Sequence, residues 1–445
     1  MDKLHDSLLL QILSRLDDSA DVARCRVASK AFNAVFPDLR SIHLVCSEKW
    51  FINSTSRVSN SRSTVSNSRP RVPNSQHHIK PLRAVFLDLI SKLAVVESVC
   101  IDISKRIYFM SHSPGFDSDD FYLMDGRFAK EWLPRVSGSL KSLWLSAVSL
   151  YSDLHQSDVL PLISAYCHKL VNLKLDGVWL SVHNMNPMPM LTSLTLAFTP
   201  RLEDEHLNEL NKCFPNLQVL NLLYNSGLQD PKIHLLNLKT CHFALFDDLQ
   251  SLTLITPNLI TLQIEYYKLT ALHVEAPLLS NFYLETLWIE SFFTGSLLSI
   301  FPVTTIENLT IDSKFFERRY TTDSKLTLGK VFTVFPNMSY LCIKSGAWSE
   351  LEACLNQQDW EILDGMNGLK TMRAYLKKVD LSLTFSFLAF VLDQCVGLSE
   401  VRLLIHSDVI GSVSEHFRSK CMARWPRLNW RWGIWNKQRE DSWIT

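Results

Sequence analysis

Residue types that could carry covalent or acid–base chemistry occur in this 445-residue chain, but not at working spacings. Cys167-His168 and Cys241-His242 each set a thiol beside an imidazole. Adjacent ligands lack the spacing of zinc pairs, and a cysteine inside an apolar run more commonly serves as a small core residue. The acidic runs Glu203-Asp204-Glu205 and Asp247-Asp248 fall in turns or at helix starts, where carboxylates are solvated or cap backbone amides rather than share a substrate. His77-His78 sits in a Ser/Asn/Arg-rich stretch without a rigid frame. With only 13 glycines there is no Gly-rich phosphate loop. No catalytic residue, metal ligand or cofactor is expected, which leaves binding as the mode of action.

Bulk composition narrows the partners. Lysine plus arginine and aspartate plus glutamate are equal at 45 each, so no global field favours nucleic acid or an anionic membrane. Ten cysteines without a C-x-x-C pair, in a chain long enough to build its own core, suit reduced thiols in an intracellular compartment, cytoplasm or nucleus. The N-terminal stretch carries Asp2 and Asp6 in place of the basic region of a secretory signal. The longest uncharged apolar run, Leu381 to Leu392, is too short to span a bilayer.

The elements that could position a binding surface begin with the first 37 residues. Leu8, Leu9, Leu10, Ile12, Leu13 and Leu16 recur at helical spacing but are too many for a single stripe, so that helix must be covered on two sides. Asp6 is expected to cap it and Asp17-Asp18 to end it; a second helix opens at Ser19 or Asp21, and a third runs from Val27 to Phe36 and stops at Pro37. Three short helices below about 40 residues bury too little surface to stand alone.

These residues resemble the F-box family. The match runs through Leu4, Leu8, Ile12 and Leu16, then Arg24-Cys25-Arg26-Val27, Ser29-Lys30 and Phe32-Asn33. His5 stands where the family usually has a proline that fixes φ at the helix entry, and Phe32 where a tryptophan is common. The resemblance implies that residues 1–40 dock on a Skp-type adaptor, and through it a cullin, by way of Leu4, Leu8, Leu9, Ile12, Leu13, Leu16, Val22 and Val27.

Residues 41–52 read as the first strand of a second domain, from the alternation of Ile42, Leu44 and Cys46. Residues 53–81 contain a seven-residue unit repeated as RVSNSRS, TVSNSRP and RVPNSQH, too polar to fold on its own and expected to form a disordered insert; its arginines are suited to phosphate or an acidic partner, the alternative being a solvated insertion with the acidic Asp117–Asp120 loop as its only neighbour. Residues 82–435 carry the pattern L-x-x-L-x-L eleven times, from Leu140-Leu143-Leu145 to Leu398-Val401-Leu403. Helix-like lead-ins precede several copies; TPNLITLQI and APLLSNFYL lie too close together for one. The fourth and sixth positions share one side of a short strand and the fifth faces the other. The whole resembles an irregular leucine-rich-repeat solenoid of the kind that follows the F-box in many plant proteins: an α/β fold with a parallel sheet on the concave side. The tryptophans of WPRLNWRWGIW are expected to cap its last strand, because Leu428, Trp430 and Trp432 alternate; residues 436–445 are left as a tail.

Fifth-position residues would line the exposed side of the sheet. Trp144 and Tyr283 are the expected anchors, Trp288 a less regular one, Lys174 and Arg402 the charges and His273 a polar contact. The expected function is that of a substrate-recognition subunit of a Skp–cullin–F-box ubiquitin ligase, non-catalytic itself, with an unknown target protein held on the repeats. Three rivals remain from sequence: a small-molecule co-receptor of the same ligase type, which needs a deep pocket with convergent basic residues; an enzyme, which needs a clustered set of perturbed titrating groups in a cleft; and a repeat scaffold that has lost its adaptor, for which His5 is the motive.

Overall fold

A computed structural model describes residues 4–46, 82–103, 122–146, 155–245, 247–287, 289–294, 297, 300–314, 327–353, 368–377, 382–409, 412–436 and 439–444. The Ser/Arg insert at 53–81, the Asp117–Asp120 loop and Trp288 lie outside the described residues. The chain divides into two compact units, Met1–Gly227 and Leu228–Thr445.

The first unit opens with α1 (Asp6–Ser14), α2 (Ser19–Ala28) and α3 (Lys30–Val35), followed by a short 3-10 turn at Phe36–Asp38. Strand β1 (Ser41–Cys46) comes next and then α4 (Leu82–Ser91), β2 (Ser98–Ile103), α5 (Gly126–Val136), β3 (Ser142–Ser146), α6 (Val159–Tyr166), β4 (Asn172–Asp176), β5 (Ser193–Ala197), α7 (Asp204–Cys213) and β6 (Val219–Leu223). The six strands pair in chain order and all in parallel. Register follows from burial: Leu143, Leu173, Leu194 and Leu220 are successive partners, as are Leu145, Leu175, Leu196 and Leu222, and all are sealed in the core. Each contributes about 1.5–3 kcal/mol on leaving water, whereas a one-residue slip would expose the whole column. The helical module is built into this unit. The His43 amide donates to the Ser19 hydroxyl at 3.1 Å, and the Ala94 amide to the Pro37 carbonyl at 2.9 Å.

The second unit contains β7 (Lys232–His234), β8 (Thr240–Ala244), β9 (Leu249–Ile255), β10 (Thr261–Tyr266), β11 (Leu269–Glu275), β12 (Asn281–Thr286), α8 (Ile289–Thr294) and β13 (Asn308–Ser313). After these come α9 (Leu328–Val334), β14 (Tyr340–Ile343), α10 (Ser345–Ala353), β15 (Thr371–Leu376), α11 (Leu383–Gln394), β16 (Glu400–His406), α12 (Ser412–Arg424), β17 (Asn429–Asn436) and β18 (Arg439–Ile444). Its main sheet runs β8-β10-β12-β13-β14-β15-β16-β17-β18, and β7, β9 and β11 form a separate three-stranded parallel sheet. The close spacing from Leu249 to Leu284 indeed holds strands without helices, but they alternate between two sheets. The repeats at Leu249 and Leu269 therefore do not belong to the main one, as a single stack had implied.

Other helix-to-strand turns follow one plan. Leu170, Leu217, Met338 and Leu398 each donate their amide to the carbonyl three residues back, at Cys167, Phe214, Phe335 and Cys395, residues that terminate α6, α7, α9 and α11 and are fully buried. Three strands escaped the leucine pattern while keeping its spacing, because weaker apolar residues fill it: Val96-Val99-Ile101, Leu238-Cys241-Phe243 and Leu369-Met372-Ala374, all buried. The last residues are not a loose tail. β18 pairs antiparallel with β17, Gly433 opposite Trp443.

Gly346 marks the tightest approach. A Cβ there would lie 1.8 Å from the Ser313 carbonyl oxygen, so α10 can start against β13 only without a side chain. Gly346→Ala is expected to destabilise the protein by about 3 kcal/mol or more, while Gly138→Ala, whose Cβ meets nothing within 4 Å, stays within about 0.5 kcal/mol. Urea denaturation of the two variants checks this; equal midpoints would refute it.

Candidate functional site

In the helical module, α1 has two apolar faces with different fates. Leu9 and Leu13, four residues apart, are 1% exposed and join Val22, Phe32, Val35 and Phe36 in a small core. The adjacent pair Leu8 and Ile12 stays 47% and 41% exposed, with Leu4 on the same side of burial and Leu16 half-covered. Val27, near the end of α2, is 91% exposed. Among the residues expected to meet an adaptor, Leu9, Leu13 and Val22 are thus corrected to core: they hold the three helices and β1 together and have no surface left for a partner. Leu4, Leu8, Ile12 and Val27 keep theirs. Asp6 is not the cap. His5 takes that place, its imidazole Nδ1 accepting from the Ser7 amide at 3.3 Å, with φ −66°, the value a proline would impose. α2 is capped by Asp18, whose carboxylate accepts from the Ala20 amide at 2.9 Å, rather than by Ser19 or Asp21. Behind it, the Arg26 guanidinium lies 3.7 Å over the Phe36 ring, and its Nε donates to Asn33.

The outward side of the first unit's sheet carries His43, Cys100, Trp144, Lys174, Thr195 and Asn221 as successive register partners. Lys174 Nζ sits 3.6 Å from the Trp144 ring centroid, a cation–π contact that covers much of one ring face. The indole N–H of Trp144 finds no acceptor among the described residues. Both Trp144 and Lys174 therefore lie where the repeat spacing puts them, as a joined pair.

In the second unit the outward positions run His242, Gln263, Tyr283, Thr310, Cys342, Arg373, Arg402 and Arg431, again in register. Tyr283 is half-buried beside an open hollow of about 360 Å³ that it lines with Thr261, Asn281, Asn308, Thr310 and Tyr340, and its hydroxyl donates to Glu285 at 2.6 Å. None of these lining residues is charged, so the hollow lacks the convergent basic residues a small-ligand co-receptor needs. Two residues further along each strand, Glu265, Glu285 and Asp312 are register neighbours; Lys314 reaches Glu285 at 3.3 Å and Glu265 at 3.7 Å, and His242 reaches Glu265 at 3.0 Å. At the other end Arg402 pairs with Glu400 at 2.8 Å, and Tyr375, Leu404, Trp435 and Cys342 form an apolar floor. His273 does not join this face. It lies on β11 of the separate sheet, bonded to Glu275 at 2.8 Å. Sequence reasoning missed Arg373, because the strand that carries it has Met372 and Ala374 where leucines were sought.

Charge on this face is largely paired: Glu265 and Glu285 with Lys314, and Glu400 with Arg402 and Arg431. Among the described residues no group of three or more His, Cys, Asp or Glu could hold a metal ion, and no helix is long and apolar enough to cross a membrane. Burial pushes the thiols of Cys100, Cys167 and Cys241 up to about 12, far from a reactive thiolate. Burial, reinforced by Glu285, also raises the Asp312 carboxyl from 3.8 to about 6, against the lowering effect of amides from Ser313, Gly346 and Ala347. Because the folded value lies above the ordinary one, the stabilising contribution of this group is complete below about pH 4 and is lost as pH rises through 6. Asp312→Asn keeps the acceptor and removes the titration. Between pH 4 and pH 7 its stability should rise relative to wild type by about 2 kcal/mol, read from denaturation midpoints; parallel pH curves would contradict the assignment.

No protein-family model matches the chain. The F-box/LRR-repeat protein At4g29420 of Arabidopsis thaliana is 34% identical to it over an alignment of 470 residues that covers the whole of both chains. With a short helical module ahead of parallel repeats whose leucines stack in register, the chain belongs to the F-box/LRR-repeat family.

Proposed function

We propose that this protein is a substrate-recognition subunit of a Skp–cullin–F-box ubiquitin ligase, non-catalytic in itself. The observation that carries the reading is the division of labour on α1. Leu9 and Leu13 supply the module's own core, and Leu8 and Ile12, with Leu4 and Val27, are left in water. Large apolar side chains grouped on so short an element are costly unless a partner covers them, and family membership supports a Skp-type adaptor as that partner. His5 meets the helix-entry φ and caps the first turn, which supports a module whose helix entry is intact without the proline.

The outward residues of the sheets, with Trp144 and Lys174 in one unit and Tyr283 and Arg402 in the other, support a second partner, a target protein held for ubiquitin transfer. In that arrangement the chain acts by raising the effective concentration of a target lysine beside a charged ubiquitin carrier. The hollow beside Tyr283 lacks the charge expected of a hormone-type pocket, so the co-receptor alternative has no specific support.

Co-expression with an adaptor tests the reading. The Leu8→Asp, Ile12→Asp double variant places two unpaired charges in the proposed interface and should weaken the complex by about a hundredfold or more while leaving the melting temperature close to wild type, because both positions are exposed. Leu9→Asp should instead unfold the module. An intact complex in the double variant, or no complex with wild type, would refute the proposal.

A further inference from the structure

Arg373, Arg402 and Arg431 are register partners on the three successive parallel strands β15, β16 and β17. Like charges on neighbouring strands, about 4.8 Å apart, repel unless anions lie between them. Two carboxylates do so. Glu400 reaches Arg402 at 2.8 Å and Arg431 at 3.0 Å, and Asp441 of β18 accepts from both the Arg373 guanidinium and the Tyr375 hydroxyl, the latter at 2.7 Å. The ladder still holds positive charge in excess, three arginines against two carboxylates, and the Nε–H groups of Arg373 and Arg402 are buried and meet no acceptor among the described residues. Lys344 adds a further cation, 3.9 Å over the Tyr375 ring.

β18 lies against this patch as an added strand. It pairs antiparallel with β17, and Gly433 makes room for it, since a Cβ there would fall 2.9 Å from the Ser442 carbonyl oxygen and 3.1 Å from the Trp443 ring. Asp441 and Trp443, two residues apart on an extended chain, share one side. The Trp443 ring lies 5.4 Å from the Arg373 guanidinium yet keeps 42% of its surface exposed. An edge strand held on one side only, with its largest side chain partly in water, is the element of a sheet most easily exchanged.

We propose that the outward face of β15–β17 is a recognition site for an extended protein segment bearing an acidic residue two positions before an aromatic one, and that β18 occupies it as a resident stand-in. The proposal rests on the reading of this chain as a client-binding subunit and specifies the client's chemistry: a strand added by backbone pairing, its carboxylate clamped by Arg373 and Tyr375, its ring beside the guanidinium. Displacing β18 by such a segment makes the site self-masking.

The test uses the full-length chain and a fluorescein-labelled synthetic peptide of residues 437–445. Asp441→Asn, which removes one charge and little else, should take up the peptide saturably and at least about tenfold more tightly than wild type, and raising salt should weaken that binding. Adding Arg373→Gln to the open chain should abolish it, and a peptide carrying asparagine in place of its aspartate should fail on the open chain, a readout that needs no second protein variant to fold. Equal uptake by wild type and Asp441→Asn, no uptake by either, or undiminished binding of the uncharged peptide would overturn the proposal. Adaptor capture measured on the same preparations keeps the two ideas apart: capture retained with no peptide binding removes the acid-recognition site alone, and capture lost with peptide binding retained removes the ligase reading alone.

Discussion

The constraint on which everything else depends is the burial of three apolar side chains per repeat at positions one, four and six. Once the fourth and sixth face the core, parallel pairing can hold only one register, because a shift by one residue would turn every column to solvent. The fifth position then has no choice but to face outward, strand after strand. In each unit a ladder of chemically unrelated residues, with Trp144 and Lys174 in the first and Tyr283 and the arginines in the second, is therefore laid out by buried leucines. Function in such a fold is a by-product of core packing, and it can change one strand at a time.

The helical module obeys a different economy. Within the nine residues of α1, one i, i+4 pair is turned inward and the neighbouring pair is left exposed. The module's core is completed by Phe32, Val35 and Phe36, and the module is tied to β1 by the His43–Ser19 hydrogen bond. On the proposed reading, loss of Leu9 would unfold the module, whereas loss of Leu8 would leave it folded and impair assembly.

Much of this was legible in the sequence, for identifiable reasons. The leucine columns from Leu140 to Leu403 are all buried; of the apolar side chains on α1, Leu9 and Leu13 are covered by this chain, while Leu8 and Ile12 are left exposed. Which leucine faces which way was not legible, because a short helix with apolar residues all round has no stripe to orient it; Leu9, Leu13 and Val22 were assigned to an adaptor although they form the core. Strands β2, β8 and β15 hid behind valine, cysteine, methionine and alanine in leucine positions, and with β15 went Arg373 and the arginine ladder. His273 falls off the main face because its repeat keeps the leucine spacing while its strand, β11, pairs with β9 in the separate sheet. β18 carries no leucine pattern to mark it as a strand; it is held by antiparallel pairing with β17 and by the Asp441 contacts to Arg373 and Tyr375 on a strand remote in sequence.

On the proposed reading, the outer face of α1 is where the adaptor sits. Hydrogen–deuterium exchange of the full-length chain, alone and with an excess of adaptor, measures this without altering a residue. The account predicts that slowing of exchange is concentrated in residues 4–16 and around Val27, with the repeat strands unchanged. Slowing confined to the repeats, or none anywhere in the first forty residues, would contradict it.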